Sequence, residues 1–279
     1  MLCSQHVLFA ALIAVLSVGK AMLFCYKSEY RYCNLKPSIQ AYFSESTSYS
    51  TPHLLLEGTL PPLRHFTLCT WAKAWKISFD GSFIFSYDLP QLDNELLVGV
   101  YKVSSTYSPP YGDNYGTSYS QVHYELSIHV YNQQSRVICR NFVVGKWQHL
   151  CYVWTNVLGH NEMYVDGIQC AESLTKIADN YIIQTGGTAV IGQEQDIIGG
   201  GFDPKQSWVG EIADLHIWNE PLLPSQIRHM FRCNFCYPRG TVFSWLREPL
   251  IAKDVIFSAT DVCAVDIQPE PFPVPNPYS

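Results

Sequence analysis

Short segments rich in β-branched and aromatic residues follow one another after residue 38, separated by Gly, Pro, Asn and Asp. This composition and length are typical of the strands of a sandwich. No helical pattern recurs between the segments, which disfavours β-α-β units and the parallel sheets that they build. We therefore predict an all-β chain with two antiparallel sheets packed as a sandwich. The segments are IQAYFSE, FTLCTWAKAW, SFIFSYDL, ELLVGVYKV, VHYELSIHVYN, RVICRNFVV, HLCYVWTNV, EMYVDGIQC, TAVIGQ and WVGEIADLHIW.

Two hairpins and one short helix can be placed within this pattern. HLCYVWTN is followed by a turn around Gly159 and then by EMYVDG, in which Asp166-Gly167 suits a tight hairpin turn. The segment LLPSQIRHMF, residues 222–231, predicts the helix, because Pro224 suits a first helical turn and apolar residues recur at helical spacing. We expect this helix to cover an edge of a sheet.

The 279 residues divide into four parts. The first part contains the apolar run VLFAALIAVLSVG, which is too short to span a bilayer and is typical of a signal peptide. We expect cleavage after Ala21 and a secreted, extracellular protein without a membrane span; an uncleaved anchor is the alternative. The parts are the signal peptide (1–21), a Cys-containing extension (22–38), the main domain (39–252) and a Cys- and Pro-rich tail (253–279).

The ten cysteines support export, because disulfides persist outside the reducing cytosol. Removal of Cys3 with the signal peptide would leave an odd number, so at least one thiol would be free or paired between chains. Spacing alone leaves the connectivity open. Cys233-Asn-Phe-Cys236 favours structural disulfides, since a zinc site needs a second pair and a redox pair needs a β-α-β context. The net charge of -6 and the lack of long Lys/Arg runs predict no specific nucleic-acid site.

Oxygen-bearing side chains are concentrated in the stretch GQEQDIIGGGFDPKQSWVG, residues 192–210. A solvated loop needs fewer polar groups, and a catalytic site needs two or three carboxylates that are held rigidly. Ca²⁺, in contrast, takes six to eight oxygen ligands, and glycines let a loop bend around it. A cation also relieves the repulsion among the acids. The stretch therefore predicts a calcium site, with a solvated acidic loop as the alternative.

The chain resembles the pentraxins, the family of C-reactive protein and serum amyloid P component. The segments that carry the resemblance span about residues 40–250; they include PPLRHFTLCTWAK, FIFSYDLPQLDNELLV, GKWQHLCYVW and IGQEQDIIGGGFDPKQSWVGEIADLHIW. The resemblance implies a jelly-roll sandwich of the laminin G or concanavalin type for residues 39–252. His149, Cys151 and Trp154 agree with the family signature, whereas Val153 and Asn156 stand where hydroxyl residues are usual, as in a divergent member.

The same resemblance implies a binding site for two Ca²⁺ per chain. It also implies that Cys69 pairs with Cys151 and that the chains assemble as a cyclic homo-oligomer, commonly a pentamer. The ligands that it implies for the first ion are Asp93, Asn94, Glu194, the main-chain carbonyl of Gln195, and Asp196; Glu194 and Asp196 would bridge to a second ion, which Asp203 and Gln206 also hold.

The predicted function is that of a lectin-like pattern-recognition protein of innate immunity. Through calcium it would bind phosphate-bearing or carbohydrate ligands on cell or microbial surfaces. The resemblance places an aromatic wall for choline five residues after Asn94, where this chain has Gly99, which argues against phosphocholine. A Tyr-, Ser- and Gly-rich stretch has the composition of a recognition loop, with Tyr107, Tyr111 and Tyr115 as candidate ligand-binding residues.

Two other functions are alternatives. The sandwich could be an extracellular adhesion or receptor-ectodomain module, which ligand type would distinguish. Glycoside hydrolases of sandwich fold carry Glu-x-Asp-x-x-Glu, but residues 194–199 read EQDIIG, so Gly199 replaces the second catalytic acid. His149 is expected to be a buried core residue rather than a base. We therefore predict that the protein is not an enzyme.

Overall fold

The computed structural model describes residues 38–107, 119–171, 175–233 and 239–263. These residues form antiparallel strands and one short helix, which confirms the predicted all-β class. The strands are β1 (Ser38–Phe43), β2 (His53–Leu56), β3 (His65–Lys76), β4 (Ser82–Leu89), β5 (Leu92–Tyr107), β6 (Tyr119–Val130), β7 (Gln133–Ile138), β8 (Gln148–Thr155), β9 (Asn161–Val165), β10 (Ile168–Gln169), β11 (Thr188–Ile191), β12 (Val209–Trp218), β13 (Phe243–Ser244), β14 (Leu250–Lys253) and β15 (Val255–Thr260), and the helix is α1 (Pro224–Phe231).

The strands form two antiparallel sheets with the connectivity of a jelly roll. The first sheet has the order β10-β9-β8-β3-β12-β1-β15, with β13 paired to β12. The second sheet has the order β14-β2-β11-β4-β5-β6-β7. Strands that are neighbours in a sheet are often distant in sequence, because the chain crosses repeatedly from one sheet to the other. For example, β3 lies between β8 and β12.

Side-chain alternation on β3 shows where the core lies. Phe66 and Leu68 belong to the large cluster of buried residues between the sheets. Cys69 and Trp71 belong to smaller clusters on the opposite face of the same strand. Because successive side chains of a strand point to opposite faces, the first sheet buries both of its faces at this strand.

The predicted hairpins and helix are present. β8 pairs with β9, and β9 pairs with β10 through a turn in which Asp166 and Gly167 have φ of 55° and 73°. In α1, the side chains of Ile227 and Met230 are buried in a cluster with the Cys69–Cys151 pair. The helix therefore lies over the outward face of the first sheet, and the expectation that it covers a sheet edge was wrong.

Three disulfides occur in the described ranges, and they leave no cysteine there unpaired. Cys69–Cys151 joins β3 to β8, as the resemblance implies. The other two bonds, which spacing alone left open, are Cys139–Cys170 and Cys233–Cys263. Cys25, Cys33 and Cys236 lie outside the described residues, as does the expected signal peptide.

The sheets extend past the boundary drawn at residue 252. β14 pairs with β2, and β15 pairs with β1 along the whole of both strands. The stretch predicted as a strand over 136–144 is shorter, because β7 ends at Ile138 and a turn with a Phe142 N–H to Cys139 O bond follows. None of the helices in the described residues is long and apolar enough to cross a membrane.

Candidate metal centre

The acid-rich loop between β11 and β12 is closed at its base by main-chain hydrogen bonds. The N–H of Gly192 donates to the carbonyl of Ile84 on β4 at 3.0 Å, and the N–H of Trp208 donates to the carbonyl of Gly192 at 3.0 Å. The chain therefore leaves and rejoins the sandwich at one point. We call residues 193–207 the acidic loop.

Gln195 fastens the acidic loop to the outward face of the second sheet. Its buried side chain donates from Nε2 to Ser86 Oγ at 2.9 Å and to the Thr188 carbonyl at 3.1 Å. Its Oε1 accepts the N–H of Gly199 at 2.7 Å. Since both side-chain atoms are engaged within the protein, Gln195 could bind a metal only through its main-chain carbonyl.

Two glycines shape the tip of the acidic loop. The N–H of Gly200 donates to the carbonyl of Ile197 at 2.8 Å, which closes a tight turn. Gly201 has φ of +70°, and a Cβ at this position would lie 2.8 Å from the Cβ of Asp196. Residue 201 must therefore be glycine for Asp196 to keep its position.

The β4–β5 hairpin supplies the second half of the site, from the end of β4 and the start of β5. Asn94 has the left-handed φ of 54°, and its N–H donates to Asp88 Oδ1 at 3.0 Å. Asp88 is buried, with 1% of its surface exposed, whereas Asp93 is exposed. The next residue, Glu95, is buried with both carboxylate oxygens accepting from the Tyr181 hydroxyl.

Three buried oxygen atoms at the meeting point of the turn and the loop have no hydrogen-bond partner among the described residues. They are Asp88 Oδ2, Asn94 Oδ1 and Glu194 Oε2. Buried acceptors almost always have a partner, and an unpaired buried carboxylate is costly. All three atoms are hard oxygen donors, so the residues present fit a hard divalent cation.

The electrostatics of the site also fit a cation. Burial, and then the charges of Asp196, Asp88, Asp93 and Asp203, raise the pKa of Glu194 to about 8. Burial raises the pKa of Asp88 to about 7; the Asn94 N–H opposes this shift, and Asp93 and Asp196 add to it. The carboxylates therefore lie within electrostatic range of one another, and a bound cation would reverse their mutual repulsion.

A turn holds the last two predicted ligands. Asp203 Oδ1 accepts the N–H of Lys205 at 2.9 Å, and the Asp203 carbonyl accepts the N–H of Gln206 at 2.9 Å. The Gln206 carbonyl in turn accepts the N–H of Phe83, the second residue of β4, at 3.1 Å. This end of the loop is thus also tied to the second sheet.

Comparison with known proteins identifies the family. The model of the Pentaxin family matches residues 39–257. The chain belongs to this family. C-reactive protein 1.4 of Limulus polyphemus is 34% identical over 227 residues, which are 80% of this chain and 86% of that protein. Serum amyloid P-component of Sus scrofa is 32% identical over 199 residues, 70% of this chain and 76% of that protein.

A solved structure agrees with this assignment. The native heptameric SAP-like pentraxin from Limulus polyphemus superposes with a TM-score of 0.69 at 30% identity and covers 82% of this chain and 98% of that one. The family inferred from the sequence motifs, and the fold that it implied, are therefore confirmed.

One buried acid of this pentraxin lies beside the predicted ligands but is not among them. Asp88 was absent from the predicted ligands, although it hydrogen-bonds the predicted ligand Asn94. Alternation along FSYDL, residues 85–89, could have identified it. Phe85 and Tyr87 belong to the core between the sheets, so Ser86 and Asp88 lie on the opposite face of β4, which the acidic loop covers.

An aromatic cluster surrounds Gly99 on the second sheet. The ring of Phe83, 1% exposed, fills the space above Gly99: a Cβ on Gly99 would lie 2.7 Å from Phe83 Cδ1. Tyr101 and His129 contact this ring edge-on. Arg136 stacks on Tyr101 with its guanidinium carbon 3.7 Å from the ring centroid. The cluster therefore combines aromatic rings with one guanidinium and one imidazole.

The candidate ligand-binding tyrosines fall mainly outside the described residues. Tyr111 and Tyr115 are outside, and for Tyr107 the structure describes only the main chain, which pairs with Tyr119 at the end of the β5–β6 hairpin. Their role stays a prediction.

A second group of metal-ligand residue types lies under α1 and does not form a metal site. Potential ligand atoms of Cys69, His149 and Cys151 lie within 4.8 Å of one another. The two sulfurs, however, are joined as a disulfide, so neither is a thiolate. Burial lowers the pKa of His149 to about 3, and its ring packs 5.3 Å from that of Trp71. His149 is therefore a neutral core residue, as expected.

Proposed function

We propose that this pentraxin is a secreted, non-enzymatic recognition protein that binds two Ca²⁺ per chain and, through them, phosphate-bearing or carbohydrate ligands. The observation that carries the proposal is that three neighbouring residues, Asp88, Asn94 and Glu194, each have a buried side-chain oxygen without a hydrogen-bond partner in the described residues. The residues that would hold the ions are Asp93, Asn94, Glu194, Gln195 through its carbonyl, Asp196, Asp203 and Gln206.

The donor chemistry favours Ca²⁺ over other common metals. Carboxylates, side-chain amides and a main-chain carbonyl make an all-oxygen set, whereas zinc and copper sites use His or Cys. The donors come from a glycine-containing loop and a neighbouring turn. Such a set suits the irregular, high coordination of Ca²⁺ better than the strict octahedron of Mg²⁺.

The choice of ligand would depend on the ions and on the aromatic cluster around Gly99. When bound, the ions supply positive charge and open coordination positions for phosphate oxygens or sugar hydroxyls. Position 99, where the family resemblance places the aromatic wall for choline, is glycine, and a Cβ there would lie 2.7 Å from Phe83 Cδ1; we therefore expect weak or no preference for choline over a plain phosphate. Arg136 and His129 add polar groups that can face a sugar or an anion.

We propose assembly as a cyclic homo-oligomer, supported by the heptameric relative. A ring that presents several equal sites gains avidity, which compensates for weak single-site affinity. Secretion is supported by the apolar segment near residue 1 and by the three disulfides of the described residues.

Calorimetric titration of calcium into the purified protein tests the proposal. We expect two ions per chain, weakening of both in Glu194→Gln, and loss of one in Asp203→Ala. Asp166→Asn is the matched control, since this half-buried acid lies in the β9–β10 turn with both oxygens hydrogen-bonded. No calcium-linked heat in the unsubstituted chain would overturn the proposal.

The second arm of the test concerns the ligand. With calcium present, an array of glycans and phosphate monoesters should give binding that a chelator reverses. Binding confined to a protein receptor would instead support an adhesion or receptor-ectodomain module.

A further inference from the structure

We propose that Asp88 is a further member of the metal centre, with one carboxylate oxygen positioning Asn94 and the other facing the cation. The inference rests on the proposed calcium function and adds a residue to it. The residue lies five positions before Asp93, at the end of β4.

The first oxygen has a positioning role. Asp88 Oδ1 accepts the N–H of Asn94 at 3.0 Å. Asn94 has φ of 54°, a conformation that needs support in a residue with a side chain. The main-chain carbonyl of Asn94 also accepts the N–H of Asn132 at 3.2 Å. Asp88 thus stabilises the backbone of Asn94, whose side-chain Oδ1 has no hydrogen-bond partner in the described residues.

The second oxygen has no such partner. Asp88 Oδ2 is buried and accepts no hydrogen bond from the described residues. The side chain is 1% exposed, so bulk water does not solvate it. Asp93 and Asp196, both predicted calcium ligands, lie within electrostatic range. A buried carboxylate oxygen among other acids is stabilised by a cation.

Two other acids of the chain have both carboxylate oxygens hydrogen-bonded. Glu95, one residue after Asn94, has both oxygens hydrogen-bonded to Tyr181. Asp166 has Oδ1 bonded to the His149 N–H at 2.9 Å and Oδ2 to Gln148 Nε2 at 2.8 Å. Glu95 and Asp166 are therefore structural, whereas Asp88 keeps one buried oxygen without a hydrogen bond, and the acids Asp93 and Asp196 lie within electrostatic range of it. Glu194 and Glu211, like Asp88, each have one buried oxygen without a hydrogen-bond partner in the described residues. Glu211 Oε1 lies 4.0 Å from Lys73 Nζ, so that acid has a cationic neighbour within the protein.

Asp88→Asn tests the inference, because the amide keeps an oxygen for the Asn94 N–H and removes the charge. Calorimetry should show calcium affinity lowered about tenfold or more. Thermal unfolding in a chelator should occur at the same or a higher temperature than in the unsubstituted chain, since a buried, repelled charge is gone. Calcium should then raise that temperature less. Asp166→Asn should leave calcium affinity unchanged.

The outcomes separate this inference from the proposed function. Two ions bound with unchanged affinity by Asp88→Asn would overturn the role of Asp88 and leave the calcium proposal standing. A lower unfolding temperature with an unchanged calcium-induced increase would mean a structural role only, which also overturns it. No calcium binding by the unsubstituted chain would overturn both. If Asp88→Asn does not fold, Asp88→Ser, whose hydroxyl can still accept the Asn94 N–H, is measured under the same criteria.

Discussion

The outward faces of the two sheets are covered in contrasting ways. Over the first sheet, α1 packs Ile227 and Met230 against the Cys69–Cys151 disulfide. Over the second sheet, the acidic loop is fastened by the Gln195 side chain to Ser86. Each cover buries ionisable groups, and in each the shift in pKa is caused first by burial. Beneath the helix, burial lowers the pKa of His149 and leaves it neutral, whereas in the acidic loop several carboxylates lie within electrostatic range of one another.

The difference lies in whether the buried group is stable in its neutral form. His149 loses its proton on burial, and the neutral ring packs against Trp71. Glu194 would have to keep a proton to be neutral, and its Oε2 has no partner in the described residues. Trp71 and Trp218, beneath the helix, also have buried indole N–H groups without a hydrogen-bond partner in the described residues, but these groups are uncharged. An unpartnered buried oxygen therefore points to a cation only where it belongs to one of several neighbouring carboxylates, as at Glu194.

The largest expected effect on calcium binding comes from Glu194→Gln, which should change the metal centre and leave the first sheet and its helix intact. Because Glu194 is proposed to bridge both ions, its loss should weaken calcium binding on the order of 100-fold or more, above the range for residues that only support ligands. Calorimetry measures the affinity. Unfolding in a chelator should be no easier than in the unsubstituted chain; a large loss of chelator-state stability would show that Glu194 is a structural residue.

Removal of the Cys69–Cys151 disulfide should lower the stability of the fold and leave the metal centre unchanged. Cys69→Ala with Cys151→Ala should lower the free energy of unfolding by about 3–5 kcal/mol, since the bond closes a long loop and is buried beneath α1. Denaturant unfolding measures this loss. Calcium affinity of the folded variant should stay within about twofold of the unsubstituted value, given that distant sites are usually independent. A concurrent loss of calcium binding would contradict the independence of the two faces.

The two sides should respond to pH with opposite sign. The pKa of His149, lowered to about 3, means that the unfolded chain binds the extra proton, so this contribution to stability is lost as pH falls from about 6.5. The raised pKa of Glu194 means that the metal-free folded chain binds the extra proton, so stability falls as pH rises from about 4.5 to about 8.

Unfolding experiments between pH 5 and pH 8 can separate these contributions. In a chelator, Glu194→Gln should lessen the decline in stability towards pH 8; Asp88, whose pKa is raised to about 7, still contributes to the decline below that pH. In the unsubstituted chain, calcium affinity should rise over the same interval, because the ion competes with protons. An affinity that does not change with pH would argue that Glu194 is not a ligand.

The sequence predicted the sandwich, the hairpins and the family well, because alternation, turn residues and a long loop motif are local signals. It missed β15 because VIFSAT is short and largely exposed, so only pairing with β1 makes it a strand. It missed Asp88 because a lone acid at a strand end carries no motif. Its importance depends on its Oδ2 lacking a partner, which only the packing of the acidic loop against β4 reveals.

The smallest expected effects come from a pair of glycines, one on each side. Gly201 and Gly167 have similar φ of 70° and 73°, so an alanine at either position should lower stability by about 1 kcal/mol through backbone strain. Their neighbours differ: a Cβ at 201 meets Asp196 Cβ at 2.8 Å, and a Cβ at 167 meets Arg228 Cα of the helix at 3.0 Å.

Gly201→Ala should therefore also weaken calcium binding several-fold, on the order of the effect of a lost supporting contact. Gly167→Ala should lower only the unfolding free energy, and equal calcium affinities in the two variants would show that the position of Asp196 does not matter to the ion.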